Sequence, residues 1–450
     1  MSPDNNLRGS WSSKLAFVLA AAGSAIGLGN IWGFPTQTGL NGGAIFVFVY
    51  LVCVLAVGIP VMVAEFTIGR AARNDPVGCF KALVPGSAWK YVGVLGVVTG
   101  LVILSYYSVV AGWTLKYLWL TVSGGMANGT TEQIAEQFTS FTGGGVGPLF
   151  FHLVFMALTI WVVTGGIEGG IEKATKVLMP VLLVLLLLLV LRSVTLPGAA
   201  EGISFYLKPD LSKISGEVVL AAMGQAFFSL SLGMGTMITY GSYLPQKEDL
   251  FSSAVYVSLS DLLIAFLAGF AIFPALFTVP GLRPDQGPSL IFLVLPNIFS
   301  QIPLGQIFGA AFYLLLAIAA LTSSISLLEV VVAYFIDQKG WPRRRAALLV
   351  GSAAFVLGIP SAFSQGYVAL FSGFLEQADF LFGKVALMVG GLLICLFVGY
   401  RWGIPVAAQE IRRSNPKFRL QSVWAVMVRF VCPLGISALL ADRILSLFRN

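Results

Sequence analysis

The sequence predicts an all-α polytopic membrane protein whose chain crosses the bilayer eleven times. Of its 450 residues, 57% are hydrophobic and only 10% are charged, whereas soluble domains carry about 25% charged residues. Apolar runs such as VLMPVLLVLLLLLVL (177–191) lack the alternation of apolar and polar residues that marks a membrane β-barrel. Since only helices and closed barrels satisfy their backbone hydrogen bonds in lipid, the spans are predicted to be helices.

The apolar runs define eleven predicted spans within one integral membrane domain, 1–450. Their limits are 14–38, 43–69, 88–121, 148–164, 174–192, 216–242, 250–275, 305–336, 345–360, 373–400 and 422–446. The first span follows a short tail without a small-residue cleavage site, so we interpret it as a retained helix and not as a signal peptide. Spans one to five (14–192) and six to ten (216–400) form two groups of five, and 422–446 is an additional helix.

The basic residues predict how the chain is oriented. Most of the 27 Lys and Arg residues fall in the amino-terminal tail and in the loops after even-numbered spans. The positive-inside rule therefore places the amino terminus in the cytoplasm, and an odd number of spans places the carboxyl terminus outside the cell membrane. The net charge of +7 follows from this asymmetry and does not indicate nucleic-acid binding.

The scarcity of catalytic side chains argues against an enzyme. The four cysteines show no paired or metal-ligand spacing, and His152 is the single histidine of the chain. A metal centre or a Ser-His hydrolase is therefore not expected. An ion channel would need a continuous polar path, which these spans do not offer.

Two spans carry helix-breaking residues in the middle of the membrane. They are GSAIGLGNIWGFP (23–35) and GQAFFSLSLGMGTMITY (224–240). For the first, the alternative is close helix packing through Gly23 and Gly27. Irregular backbone in hydrocarbon survives only where it lines a protein cavity. Because the two segments occupy corresponding positions in the two groups of five, they favour a transporter binding site, where freed helix ends offer amides to an anion and carbonyls to a cation.

Other polar residues lie at membrane depth. Asp261, in the seventh span, is a functional candidate because a buried carboxylate is costly; the alternative is a helix-end residue that reaches water. The hydroxyls of LTSSIS (321–326) could instead join helices to one another. Glu65 is expected close to the cytoplasmic face, and the sequence assigns no role to Glu329.

Several segments resemble the neurotransmitter:sodium symporter family, bacterial amino-acid branch. They are the segments quoted above together with NGGAIF at 41, IPVMVAEFTIGR at 59, YYSVVAGWTL at 106 and GPSLIF at 287. The resemblance covers essentially the whole chain. It implies a LeuT-type fold of two five-helix inverted repeats with broken helices 1 and 6. It also implies sodium-coupled import of an amino acid by alternating access, with two sodium ions.

The resemblance also implies the residues of the central site. The first sodium ion would contact Ala25, Asn30, Ser229 and Asp261, and the second Gly23, Ile26, Ala319, Thr322 and Ser323. The substrate would contact Ala25, Gly29, Ile103, Tyr107, Phe228, Ser229, Ser231, Met234 and Leu327. Carbonyls and hydroxyls suit a hard cation that must also be released.

Two positions bear on the substrate and on chloride. Related monoamine transporters carry an aspartate where this chain has Gly27, so glycine implies an amino acid that brings its own carboxylate. The apolar pocket predicts a neutral hydrophobic amino acid, aliphatic or aromatic. Asp261 is expected to supply the charge that chloride supplies in other members, although Ala265 stands where the leucine transporter has glutamate. Protonation of Asp261 after sodium release is the hypothesis for proton antiport.

The resemblance also implies gates on both sides of the site. Inside, Arg8 and Asp337 match an ion pair, with Trp11 and Tyr243 beside it. Gly170 and Pro180 match a pattern for local unwinding; a simple proline kink is the alternative.

Outside, this chain has Gly33 where an arginine is usual, so Asp379 is expected to lack its cation. Gln37 would then replace it by hydrogen bonding, or Phe228 and Tyr107 would close the site alone.

A non-transporting membrane amino-acid sensor of the same fold remains an alternative, because its binding residues would look the same. Transport into sealed vesicles separates the two. The expected partners are the amino-acid substrate and the lipid bilayer, and the sequence gives no indication of an obligate protein partner.

Overall fold

The computed structural model describes residues 9–126, 131–278 and 291–446. Regular secondary structure in these segments is helical throughout, with no strand among them. In chain order the helices are α1 (Lys14–Ala25), α2 (Gly29–Leu40), α3 (Ala44–Ala72), α4 (Pro76–Leu83), α5 (Lys90–Val122), α6 (Thr131–Thr142), α7 (Val146–Thr164), α8 (Ile167–Val194), α9 (Ala199–Leu207), α10 (Gly216–Ser229), α11 (Thr236–Ser242), α12 (Leu250–Leu276), α13 (Val294–Gln301), α14 (Gly305–Lys339), α15 (Arg343–Ala362), α16 (Ala369–Arg401), α17 (Ile404–Arg412) and α18 (Gln421–Leu445).

Most of the predicted spans are observed as single long helices. Within the described segments, nine helices are long and apolar enough to cross a membrane, and α1 with α2 forms a tenth candidate that bends by 51° at its break. The predicted span 216–242 appears as α10 and α11, of 14 and 7 residues. Neither half is long enough to cross a bilayer alone, so a total of eleven depends on counting them as one span.

The first break follows from local backbone geometry. Helix α1 begins where the Ser13 side chain accepts a hydrogen bond from the Ala16 amide, and it ends at Ile26, whose backbone is extended (φ −74°, ψ 102°). After two residues the chain starts again as a wide π turn, Gly29–Gly33, that continues into the rest of α2. Such π turns occur frequently at functional sites.

The second break uses residues in the left-handed region. Ser231, Gly233 and Gly235 have φ values of 53°, 80° and 78°. Glycine adopts this conformation readily, whereas a serine there is strained. Gly233 also has no space for a side chain, because a Cβ atom would lie 2.9 Å from the Gly391 amide and against the Leu387 carbonyl. The predicted interruptions of both spans are therefore observed.

The broken helices lie at the centre of the bundle. Helix α14 packs along α5 and also contacts α1 and α11. In its most apolar 18-residue stretch, 94% is buried inside the protein, whereas the corresponding share for α8 is 28%. The buried helix therefore forms the wall of the interior, while α8 presents leucine-rich faces to lipid.

Candidate functional site

The two helix breaks meet and are joined by hydrogen bonds. The Ser231 hydroxyl, in the second break, donates to the carbonyl of Ser24 at 3.0 Å. The Gln225 amide, on α10, donates to the carbonyl of Gly29 at 2.6 Å. Backbone carbonyls of the first segment thus find side-chain donors on the second, as a membrane interior requires.

Asp261 accepts hydrogen bonds from three neutral side chains. Its carboxylate lies 2.7 Å from Asn30 Nδ2, 2.9 and 3.0 Å from Ser229 Oγ, and 3.2 Å from the Tyr50 hydroxyl. All four residues are buried. The structure therefore joins Asn30, Ser229 and Asp261, which the sequence assigned to one sodium ion, and Ala25 ends the neighbouring helix α1. Sequence reasoning missed Tyr50, a lone tyrosine in an apolar run.

The residues assigned to the second ion also converge. The Thr322 hydroxyl lies 3.0 Å from the Ala319 carbonyl and 3.4 Å from that of Ile26. The Ser323 hydroxyl lies 3.1 Å from the Ser24 carbonyl and 3.3 Å from that of Ala319. A Cβ atom on Gly23 would lie 3.4 Å from Thr322 Cβ. This cluster consists of neutral oxygen atoms, a donor set that suits a hard monovalent cation.

A small cavity of about 30 Å³ lies between the two breaks. It is lined by eight of the nine residues assigned to the substrate, namely Ala25, Gly29, Ile103, Tyr107, Phe228, Ser231, Met234 and Leu327, together with Ser24, Gly27, Leu28 and Ser323. The ninth, Ser229, bonds instead to Asp261. The volume corresponds to about two water molecules, so the walls must move apart to admit an amino acid.

A larger cavity, here called the vestibule, lies beyond this site. It measures about 520 Å³, and Leu28, Tyr107 and Phe228 line both it and the small cavity. These three side chains therefore form the partition between the two spaces. Aromatic residues dominate the rest of its wall, with Phe292 packed edge-to-face on Trp32 and Trp113.

The expectation that Asp379 lacks a cation is wrong. Lys384 Nζ lies 3.3 Å from Asp379 Oδ2, and the Tyr106 hydroxyl donates to Oδ1 at 3.1 Å. Both charged residues lie on α16, which is wound as a π helix over Asp379–Ala386. Gln37 instead accepts a hydrogen bond from Asn41 at 3.2 Å. The cation thus comes from the helix that carries the acid, and not from the helix that carries Gly33.

On the opposite side of the site, buried polar groups form what we call the basal network: Trp11, Tyr243, Glu329 and Arg343. Arg343 contacts both carboxylate oxygens of Glu329, at 2.7 and 2.9 Å, and the Tyr243 hydroxyl donates to the same carboxylate at 2.7 Å. The Trp11 indole donates to the Tyr240 carbonyl at 3.1 Å and packs edge-to-face on Tyr243. Glu329, to which the sequence assigned no role, is the centre of this network.

The structure bears differently on the two predicted cytoplasmic gate features, the Arg8–Asp337 pair and the Gly170–Pro180 segment. Arg8 lies outside the described residues, so the predicted pair with Asp337 is not described; Asp337 accepts a hydrogen bond from the Asp75 amide at 2.7 Å. Gly170 lies in a π turn, Ile167–Glu172, and the following helix runs through Pro180 to Val194. The segment is therefore wound in this structure, and its unwinding stays a prediction.

Glu65 lies beside the second break. It is fully buried and accepts a hydrogen bond from the Gly233 amide at 2.7 Å, while its expected position close to the cytoplasmic face stays a prediction. The carboxylate therefore belongs to the second break, where it satisfies a backbone amide that has left helical geometry.

The chain is similar to known proteins along its whole length. Residues 8–140 and 133–449 match the model of the sodium:neurotransmitter symporter family. An uncharacterized sodium-dependent transporter of Bacillus subtilis (strain 168), YhdH, is 40% identical over 431 residues, which cover 95% of each chain. An uncharacterized sodium-dependent transporter of Haemophilus influenzae is 37% identical over 455 residues, covering 97% of this chain and 98% of the relative.

The fold is also similar to that of a solved transporter. The crystal structure of MhsT in complex with L-phenylalanine superposes with a TM-score of 0.88 at 44% identity, covering 97% of this chain and 100% of MhsT. These matches confirm the resemblance inferred from the sequence motifs and the all-helical membrane fold. The chain is a sodium-dependent membrane transporter, not an enzyme, and it belongs to the sodium:neurotransmitter symporter family.

Proposed function

We propose that this transporter imports neutral hydrophobic L-amino acids, aliphatic or aromatic, together with two sodium ions by alternating access. The observation that carries the proposal is the small cavity bounded by both helix breaks. Its lining combines glycines and hydroxyl-bearing residues with apolar side chains. An amino acid has the same division between its polar backbone and its side chain.

The polar end favours a substrate carboxylate. Helix α2 begins at this end of the cavity, and the amino terminus of a helix attracts negative charge. A Cβ atom on Gly27 would contact Ser323 Oγ and lie 3.0 Å from the Tyr107 hydroxyl. Since a side chain here would crowd Ser323 and Tyr107, glycine at this position agrees with a substrate that brings its own carboxylate.

The apolar end supports a hydrophobic side chain. Ile103, Phe228, Met234 and Leu327 line it, and methionine adapts to side chains of different shape. The similar transporter MhsT was crystallised with L-phenylalanine, which agrees with an aromatic substrate. A charged or strongly polar side chain would lose hydration here without gaining hydrogen bonds.

Two clusters of oxygen atoms support two sodium sites. The first is Ala25, Asn30, Ser229 and Asp261, and the second is Gly23, Ile26, Ala319, Thr322 and Ser323. One charge crossing 100 mV supplies about 2.3 kcal/mol, and a tenfold sodium gradient adds about 1.4 kcal/mol. Two ions would supply about 7 kcal/mol, enough for roughly 10⁵-fold accumulation of substrate.

Asp261 supports transport without chloride. Its carboxylate is the negative group toward which Asn30, Ser229 and Tyr50 direct their hydrogen atoms. A chloride ion would compete with it for these donors. Protonation of the same carboxylate after sodium leaves would remove an uncompensated charge from the interior, and this is the route we propose for proton antiport.

The proposed topology follows the basic loops and the positions of the breaks. Counting α10 and α11 as one span gives eleven spans, with the amino terminus in the cytoplasm, the carboxyl terminus outside and the vestibule facing outward. Residues 14–192 and 216–400 would be the two inverted repeats, since each begins with a broken helix.

The decisive experiment measures binding and uptake with the purified protein. Labelled leucine, phenylalanine and tryptophan are presented in sodium and, as a control, in potassium. We expect sodium-dependent binding that is lost in Asn30→Ala and Ser229→Ala, and sodium-driven uptake into sealed proteoliposomes. Binding without uptake would identify the amino-acid sensor, and no sodium-dependent binding of any of the three would contradict the assigned pocket.

A further inference from the structure

Gln225 connects the two broken helices immediately beside the partition of the site. Its side chain is only 8% exposed, and Nε2 donates to the Gly29 carbonyl at 2.6 Å. The same carbonyl accepts the Phe34 amide within the π turn. The Gly29 carbonyl oxygen therefore accepts two hydrogen bonds, one from within α2 and one from α10.

The Gln225 amide lies close to the backbone of Gly33. A Cβ atom on Gly33 would lie 3.2 Å from Gln225 Oε1 and 3.3 Å from Nε2. The backbone of Gly33 is ordinary helix (φ −60°, ψ −50°), so its conformation does not require glycine. A side chain at this position would instead press on the Gln225 amide, which would have to shift by a few tenths of an ångström.

The contact is placed where it can control the partition. Phe228 follows Gln225 by one helical turn on α10, and a Cβ atom on Gly29 would lie 3.2 Å from its ring. The ion pair Asp379–Lys384 lies wholly within α16, so it does not itself connect α16 to α2. Gln225 thus holds α2 beside the residue that closes the cavity.

We propose that Gln225 is a positioning residue that fastens α2 to α10 when the vestibule side of the site closes, and that Gly33 is the space this bond needs. The inference rests on the proposed function, because the substrate is retained behind Phe228.

The test is a double-mutant cycle with Gln225→Ala, Gly33→Ala and the double variant. Equilibrium binding and dissociation of labelled L-phenylalanine are measured in sodium on purified protein. Losing one hydrogen bond should weaken binding about five-fold, through faster dissociation and not slower association. Gly33→Ala should have a similar effect in the wild-type background and none in Gln225→Ala. Additive effects, or an unchanged dissociation rate, would overturn the proposal.

Two further variants separate positioning from general destabilisation. Gln225→Met keeps most of the length but has no donor, so it should lose about as much affinity as Gln225→Ala; binding equal to that of the wild type would overturn the proposal. Gln306→Ala is the matched control, since Gln306 Nε2 donates to the Thr121 carbonyl at 3.0 Å away from the site, and it should leave dissociation unchanged.

The unfolding midpoints of the same four proteins are then measured without substrate. Coupling between positions 33 and 225 should appear there as well, and additive midpoints would overturn the proposed contact. If wild-type protein binds no labelled L-phenylalanine in sodium, the proposed substrate fails, while the unfolding cycle still decides whether the two residues act as one unit.

Discussion

The ion pairs of the vestibule and of the basal network differ in how far they are exposed to solvent. The Asp379–Lys384 pair is partly exposed, with side-chain exposures of 31% and 46%, whereas Glu329 and Arg343 are 0% and 16% exposed. Exposed pairs contribute about 0–1 kcal/mol, but removing one partner of a buried pair costs about 3–5 kcal/mol. The comparison shows that the basal charges are buried against each other, whereas the vestibule charges face an open cavity.

The largest expected effect comes from breaking the basal network. Arg343→Ala leaves the buried Glu329 carboxylate without its cation, so we expect a loss of about 3–5 kcal/mol in the free energy of unfolding. Chemical unfolding of the purified protein measures it. Arg344→Ala removes the exposed neighbouring arginine and is the control. Equal losses in the two variants would show that the basal network is not the tighter side.

The second largest effect concerns the site between the two sides. Asp261→Asn removes the charge that Asn30, Ser229 and Tyr50 surround. Charged hydrogen bonds contribute about 1.5–3 kcal/mol, so the sodium concentration needed for half-maximal binding should rise about 10- to 100-fold. Asp210→Asn is the control, because Asp210 is exposed and bonds only to nearby loop residues. An unchanged sodium requirement would remove Asp261 from the first ion site.

A smaller effect is expected from the tyrosine that sequence reasoning missed. Tyr50→Phe removes one donor to Asp261, which corresponds to about 1 kcal/mol and about a five-fold weaker sodium response. Tyr206→Phe loses a comparable buried bond, to the Phe266 carbonyl at 2.9 Å. It should lower stability without changing the sodium response. The same shift in both variants would mean that Tyr50 acts only through packing.

The smallest effect is expected from the vestibule pair. Lys384→Ala should change the free energy of unfolding by about 0–1 kcal/mol, less at high salt because ions screen exposed pairs. The Tyr106 hydroxyl still donates to Asp379 in this variant. A loss as large as that of Arg343→Ala would contradict the difference between the two sides.

Much of the site could be predicted because it depends on residues that are close in the sequence. Glycine and serine at mid-span predict the breaks, and the family resemblance of LTSSIS implied the Thr322–Ser323 cluster. The partition residues Tyr107 and Phe228 were also named in advance, and both line the cavity.

The remaining contacts depend on partners that are distant in sequence. Tyr50 and Asp261 are separated by 211 positions, and Glu65 and Gly233 by 168. A single sequence does not show which apolar helices lie side by side, so neither pair was predictable. Lys384 was missed for a different reason: five positions along an ordinary α-helix point to different faces, and the sequence shows no sign of a π helix.

Because of that π helix, the Asp379–Lys384 pair is sensitive to the number of residues between its two members. Each residue of an α-helix turns the chain by about 100°, so five α-helical steps would carry Lys384 away from Asp379. The wide turn over Asp379–Ala386 brings the two side chains back to one face. Inserting a single residue between them, with both charges kept, would place them six positions apart and rotate the lysine away from Asp379. At this place the electrostatics depend on the length of the chain as much as on its composition.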